Sequence, residues 1–188
     1  SLTKTGAGVL TVTGTNTYTG GTTVSAGTLD LDGSLASEVT VAIGARIEGT
    51  GTANRLSSYG TVAPGNSPGT LDVVGPVVFY PTSNLIVELD GLTYDGNDNA
   101  GTYDRLAVKG TSVTDTFTAG GALTPVLRGI SGPSNNDLVP VIGNTFRIVT
   151  TEYATGVSGE FTSITDPDYT DPTSGMPTNT RFDVLYGG

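Results

Sequence analysis

The chain has 188 residues, of which 28 are Gly, 10 are Pro and 14% are charged. That length supports one domain with a sizeable core. Abundant Gly and Thr, with no apolar stripe of period 3.6, exclude long helices. Eight Lys and Arg against eighteen Asp and Glu give a net charge of −10. This balance excludes the basic patch that nucleic acid requires and otherwise serves solubility. There is no Cys and no His, so disulfides and thiolate metal sites are excluded.

The organising stretch is Leu2–Gly33. Within it Gly8–Gly14 (GVLTVTG) recurs as Gly27–Gly33 (GTLDLDG). Leu10 and Val12, then Leu29 and Leu31, point to one face, while Thr11, Thr13, Asp30 and Asp32 point to the other. That is the period-2 signature of a half-buried strand. The pattern continues at Gly44–Gly49 (GARIEG), Gly60–Gly65 (GTVAPG) and Gly69–Gly75 (GTLDVVG). A second strand family begins at Thr22–Val24 and continues at Val39–Ile43, with Val24 and Val41 in step. A strand–turn unit recurring every ~20 residues is how a solenoid reads in sequence. A turn of about 18 residues traces roughly 60 Å, so the interior holds side chains and no ligand cavity.

Ala63–Thr70 (APGNSPGT) breaks the period, and its prolines and glycines predict a turn or bulge in the wall. Beyond it, strands are expected at Val77–Tyr80, Leu85–Leu89, Arg105–Val108, Leu123–Leu127, Phe146–Thr150 and Arg181–Tyr186. Four of the five Phe fall after Val108. The sequence therefore divides into regular rungs over 1–75 and a thicker, hairpin-containing C-terminal cap over 76–188. A solenoid needs such an end, because its last rung otherwise exposes a sheet edge and an apolar interior.

Leu2–Leu29 (LTKTGAGVLTVTGTNTYTGGTTVSAGTL) resembles the passenger-associated transport repeat of bacterial autotransporters. Ala63–Val73 is similar to the rung that often follows that repeat. Leu85–Gly91 (LIVELDG) with Tyr103–Gly110 (YDRLAVKG) resembles the C-terminal passenger segment of pertactin-like and self-associating adhesin types. Phe146–Phe161 is similar to that segment's closing hairpin. The resemblance implies an all-β, right-handed parallel β-helix, exported across the outer membrane of a Gram-negative cell to its surface or beyond. It implies as partners a C-terminal outer-membrane barrel and upstream passenger rungs, and an autochaperone role for this end of the passenger. The chain starts mid-pattern and no barrel follows Gly188, so it reads as the C-terminal end of a longer passenger.

Catalytic chemistry finds little support in the residues. A Ser/His/Asp or Cys/His system lacks its His and Cys, and a Ser–Lys pair has only Lys4 and Lys109 to draw on. Asp30, Asp32 and Glu48 near Arg46 face outward on neighbouring rungs, where they would bind a cation or form an acid/base pair in a polysaccharide-cleaving β-helix. An acidic solvated wall is the plainer reading. Asp95–Asn99 is arranged like part of a calcium loop, yet Ala100 and Leu106 stand where an EF-hand needs Gly and Glu. The eight Tyr are scattered, unlike a stacking platform for sugar or nucleic acid.

The leading expectation is therefore non-enzymatic and cofactor-free: a stem with a folding nucleus that assists export of an adhesin. The nucleus is assigned to Leu106, Val108, Leu127, Phe146, Ile148, Phe182 and Val184. The alternative is an adhesive Thr/Asp wall that pairs with itself or with a host glycan.

Overall fold

The computed structural model describes residues 1–66, 68–92, 103–110, 112, 115–127, 138, 140, 141, 143–152, 157–165 and 183–186. Among these, every regular element is a strand. The strands are β1 (Leu2–Lys4), β2 (Val9–Val12), β3 (Thr15–Asn16), β4 (Thr22–Val24), β5 (Gly27–Leu31), β6 (Ser34–Val41), β7 (Ala45–Gly49), β8 (Thr52–Ser58) and β9 (Thr61–Pro64). They continue as β10 (Thr70–Val73), β11 (Val77–Phe79), β12 (Asn84–Leu89), β13 (Arg105–Val108), β14 (Phe117–Ala119), β15 (Ala122–Leu127), β16 (Val149–Thr151), β17 (Val157–Gly159) and β18 (Ser163–Ile164).

The chain winds as a parallel β-helix with three faces. One face stacks β2, β5, β7, β9, β12, β15 and β18. The other two belong to one sheet that bends where the β6–β8 register shifts, between Leu35 and Glu38. On one side of the bend lie β3, the first halves of β6 and β8, then β10, β13 and β16. On the other lie β1, β4, the second halves of β6 and β8, then β11, β14 and β17.

Alternation decides what fills the interior. Leu10, Leu29, Ile47, Val62, Leu85, Leu123 and Ile164 lie in register on seven successive turns of one face. The five from Leu29 to Leu123 are buried. On the other faces Val39 sits under Leu56 and Leu56 under Val77, while Leu71 sits under Leu106 and Leu106 under Val149. Each of these residues thus meets an apolar residue of the next turn, whereas Val41 meets Ser58 and Val108 meets Thr151. Stability is then a sum of rung terms and rung–rung terms.

The first turns are short and regular. Thr22 pairs with Val39 and Val39 with Leu56, a repeat of 17 residues. Later turns are longer: Val77 pairs with Phe117 and Phe117 with Val157, a repeat of 40. The extra residues enter between strands, and the ladders keep their register. Corners are tight. Gly49 has a φ of 110°, and a Cβ there would strike the Leu31 carbonyl of the turn before. Only glycine meets both demands.

Several expectations need correction. Gly69–Gly75 looks like a further copy of Gly27–Gly33, but β10 joins the other sheet, because the Pro64–Gly69 corner carries the chain on to the next face. The strand expected at Val39–Ile43 ends at Val41, and Ile43 lies in the corner that follows, 69% exposed. A closing hairpin was expected over Phe146–Phe161. In the structure the strands β11 to β18 pair in parallel, and β16 and β17 dock on β13 and β14. The turn beneath already offers them a paired edge and an apolar ladder, so neither needs the other. The antiparallel contacts among the described residues are isolated bridges, Gly49 with Gly65 and Leu89 with Tyr103. Asp183–Tyr186 lie in no strand.

Candidate functional site

Two regions hold the residues singled out by sequence. The first is the interior of the later turns. Leu106 and Val108 are buried on β13, and Leu127 is buried at the end of β15, where it pairs with Leu89. Phe146, Ile148 and Val184 are half-buried and pack against the same continuous core. Phe146 sets its ring at 89° to that of Tyr103, with centroids 5.4 Å apart. The Ile148 carbonyl accepts a hydrogen bond from the Leu106 amide at 2.9 Å. Phe182 lies outside the described residues.

The largest fully buried side chain of this interior was not among those assigned. Phe117 is 1% exposed. Its ring meets Phe79 edge-on at 5.3 Å and Phe161 at a tilt at 6.2 Å. Phe79 and Phe161 also meet edge-on, at 6.4 Å. Three turns thus share one aromatic cluster, in the offset geometries that ring quadrupoles favour. The available signal was the spacing of Phe79, Phe117 and Phe161 at roughly the length of the longer turns.

The second region is the acidic corner. Asp30 and Glu48 lie in register on adjacent turns. Arg46 Nε donates to Glu48 at 2.6 Å. Burial first, then repulsion from Asp32, raises the Asp30 carboxyl above its ordinary 3.8; the hydrogen bond from Thr11 opposes this, and Glu48 adds to it. Asp32 Oδ1 gathers three donors: the Thr50 amide at 3.2 Å, the Thr50 hydroxyl at 3.3 Å and Asn66 Nδ2 at 2.7 Å. Asp104, 2% exposed, accepts from the Gly69 amide at 2.9 Å and the Glu88 amide at 2.8 Å. The corner that breaks the period is therefore clasped from both sides, by Asp32 from earlier turns and Asp104 from the next.

Arg46, Glu48, Pro64, Asn66, Glu88 and Asp104 line an open depression of about 250 Å³ there. Asp32 Oδ1 accepts from backbone, hydroxyl and amide donors, both Asp104 oxygens accept from backbone amides, and Glu48 lies against Arg46. Among the described residues no group of three or more His, Cys, Asp or Glu is placed to hold a metal ion. The Asp95–Asn99 loop lies outside the described residues.

The two lysines have structural partners. Lys4 Nζ donates to the carbonyls of Thr5, Gly6 and Ala26 at 3.0, 2.7 and 3.0 Å. Lys109 pairs with Asp72 at 2.7 Å. The tyrosines prove less scattered than the sequence suggests, since Tyr59 and Tyr80 stack at 4.0 Å.

The first rungs identify the family. Residues 2–31, which run from β1 to the end of β5, match the model of the passenger-associated-transport-repeat. The match supports an autotransporter passenger fragment. Two curated relatives of this passenger, both extracellular serine proteases of Serratia marcescens, are each 38% identical to it, over 171 and 175 residues. The alignments cover 89% of the chain and 15% of each relative. The passenger thus spans about a seventh of the length of the relatives it matches, and the alignment runs through nearly all of its turns. Relatives named as extracellular place this kind of sequence outside the cell.

Proposed function

We propose that the chain is a non-catalytic stem, regular over 1–75, whose later part, 76–188, acts as a folding nucleus during export and display of the passenger. One observation carries this reading. The apolar ladders run without a break into the later turns, and there the interior gains the Phe79–Phe117–Phe161 cluster and the Tyr103–Phe146 pair. In a solenoid, a more stable end templates the turns that dock on it. A segment that folds first outside the cell and recruits earlier rungs opposes back-sliding without ATP. The partner of this arrangement is a C-terminal translocator barrel, as the family implies. The relatives' name states a serine protease; a protease mechanism that uses a His base would draw on chain other than these 188 residues, which hold no His.

A matched pair of substitutions tests the proposal. Leu29 and Leu106 are both fully buried, so Leu29→Ala and Leu106→Ala remove the same atoms from the stem and the nucleus. Each is made in the intact passenger–barrel protein for display and in the isolated chain for kinetics. Leu106→Ala is expected to slow refolding and lower display, whereas Leu29→Ala mainly speeds unfolding. Equal effects on refolding, or a larger display defect from Leu29→Ala, refute the nucleus.

A further inference from the structure

Tyr59 and Tyr80 follow β8 and β11 at the same corner of adjacent turns. The strands leading to them are in register, with Leu56 beside Val77, Ser57 beside Val78 and Ser58 beside Phe79. Backbone hydrogen bonds extend that register by one residue: Tyr59 N donates to the Val41 carbonyl at 2.8 Å, and Tyr80 N to the Ser58 carbonyl at 3.0 Å. The Thr82 hydroxyl donates to the Tyr59 carbonyl at 2.8 Å, which ties the corner down. The fold thus holds two phenol rings one above the other, with centroids 4.0 Å apart and planes within 7°. Both rings follow parallel, in-register strands at the same position, so the stack brings equivalent faces of the two phenols together. Tyr59 is 37% exposed, and small oxidants reach it.

Composition narrows where an oxidising equivalent comes to rest. The chain has no Cys, Trp or His, one Met and eight Tyr. Phenols are its main one-electron donors. Other described tyrosines have different partners: the Tyr18 hydroxyl bonds to Thr22, the Tyr103 ring meets Phe146, and Tyr186 accepts from the Phe161 amide.

We propose that Tyr59 and Tyr80 form a dityrosine cross-linking site, which a peroxidase-type one-electron oxidant acting with hydrogen peroxide converts into a covalent staple between two turns. Each phenol loses one electron and one proton to become a phenoxyl radical. A carbon–carbon bond then forms between the two ortho carbons, and the hydrogen on each of these carbons moves to its oxygen to restore the phenol. Two hydrogens are lost in all, and hydrogen peroxide takes them up as it is reduced to two waters.

The experiment treats the purified chain with peroxidase and hydrogen peroxide at a dilution where molecules seldom meet. Dityrosine fluorescence, intact mass and peptide mapping are read together. The expected product is a monomer lighter by two hydrogens, in which a peptide containing Tyr59 is joined to one containing Tyr80, and its guanidinium midpoint is higher than before treatment. Tyr59→Phe and Tyr80→Phe keep the stacked rings and are each expected to abolish the product, while Tyr18→Phe leaves its yield unchanged. The proposal is overturned if the cross-link persists in Tyr59→Phe, if it joins two molecules or other tyrosines, or if none forms where free tyrosine couples readily.

Discussion

Truncating Phe117 should be the most damaging change to the apolar interior of the later turns. Its side chain is 1% exposed and meets two other rings, at 5.3 and 6.2 Å. Removing a buried Phe to Ala costs about 3–5 kcal/mol. The upper end applies here, since each ring pair contributes a further ~0.5–1.5 kcal/mol. At about 1.4 kcal/mol per decade, a loss of about 5 kcal/mol lowers the folding equilibrium constant several thousandfold. Phe146 is half-buried and sets its ring against Tyr103. Part of its ring stays in water, so Phe146→Ala should cost less, about 2–3 kcal/mol. Guanidinium unfolding followed by far-UV circular dichroism gives both values, provided that the slope m is shared. A loss below about 1 kcal/mol for Phe117→Ala, the level of an ordinary substitution, refutes the packing argument. So does a Phe146→Ala loss equal to or larger than that of Phe117→Ala.

Lys4→Met removes three charge-assisted bonds to the first corner and should cost about 1.5–3 kcal/mol by the same unfolding measurement; a neutral result means that water replaces those bonds. At the clasped corner, Asp104→Ala strands one buried and one part-buried amide and should cost about 2–3 kcal/mol, whereas Asn66→Ala loses one exposed bond and should cost about 1 kcal/mol or less. Limited proteolysis should then nick Asp104→Ala near Gly69 sooner than Asn66→Ala, and the reverse order contradicts the clasp. Asp30 has its folded pKa raised above 3.8, so its ionised form opposes folding. That cost is fully present above the folded pKa and disappears as pH falls below 3.8. Asp30→Asn should therefore raise the unfolding midpoint at neutral pH, with a gain that shrinks to nothing in acid; a gain that persists in acid means that the charge is not its source.

The architecture was legible because alternation and period act at short range. Leu10, Leu29 and Ile47 announce one face by their spacing, and Val24 and Val41 another. What escaped is whatever depends on how far the chain travels round a corner. Gly69–Gly75 has the letters of Gly27–Gly33 but a different face, since Pro64–Gly69 takes up extra residues before β10. Parallel docking of β16 and β17 was missed for a similar reason: with about 40 residues per turn, their partners lie too far away in sequence to suggest themselves, and a local hairpin looks nearer. The Asp32–Asn66 and Gly69–Asp104 contacts span 34 and 35 residues and two unlike turns. No local pattern encodes them. Leu106, Val108 and Leu127 were placed correctly inside by alternation, whereas Phe117 was passed over because its cluster joins three turns.

Hydrogen bonds between successive turns lie along the axis of the coil, and this decides how the chain yields to force. Traction on one end loads a single strand-to-strand seam at a time, so turns peel off one by one. Resistance is then set by the outermost turn, whatever the number of turns behind it. A turn of 17 residues releases about 60 Å of slack when it goes, and a turn of 40 releases about 140 Å. Pulled from the Ser1 end, the chain would lengthen first in small steps and then in steps more than twice as long, a mechanical signature of the same growth in turn length that leaves the apolar ladders undisturbed.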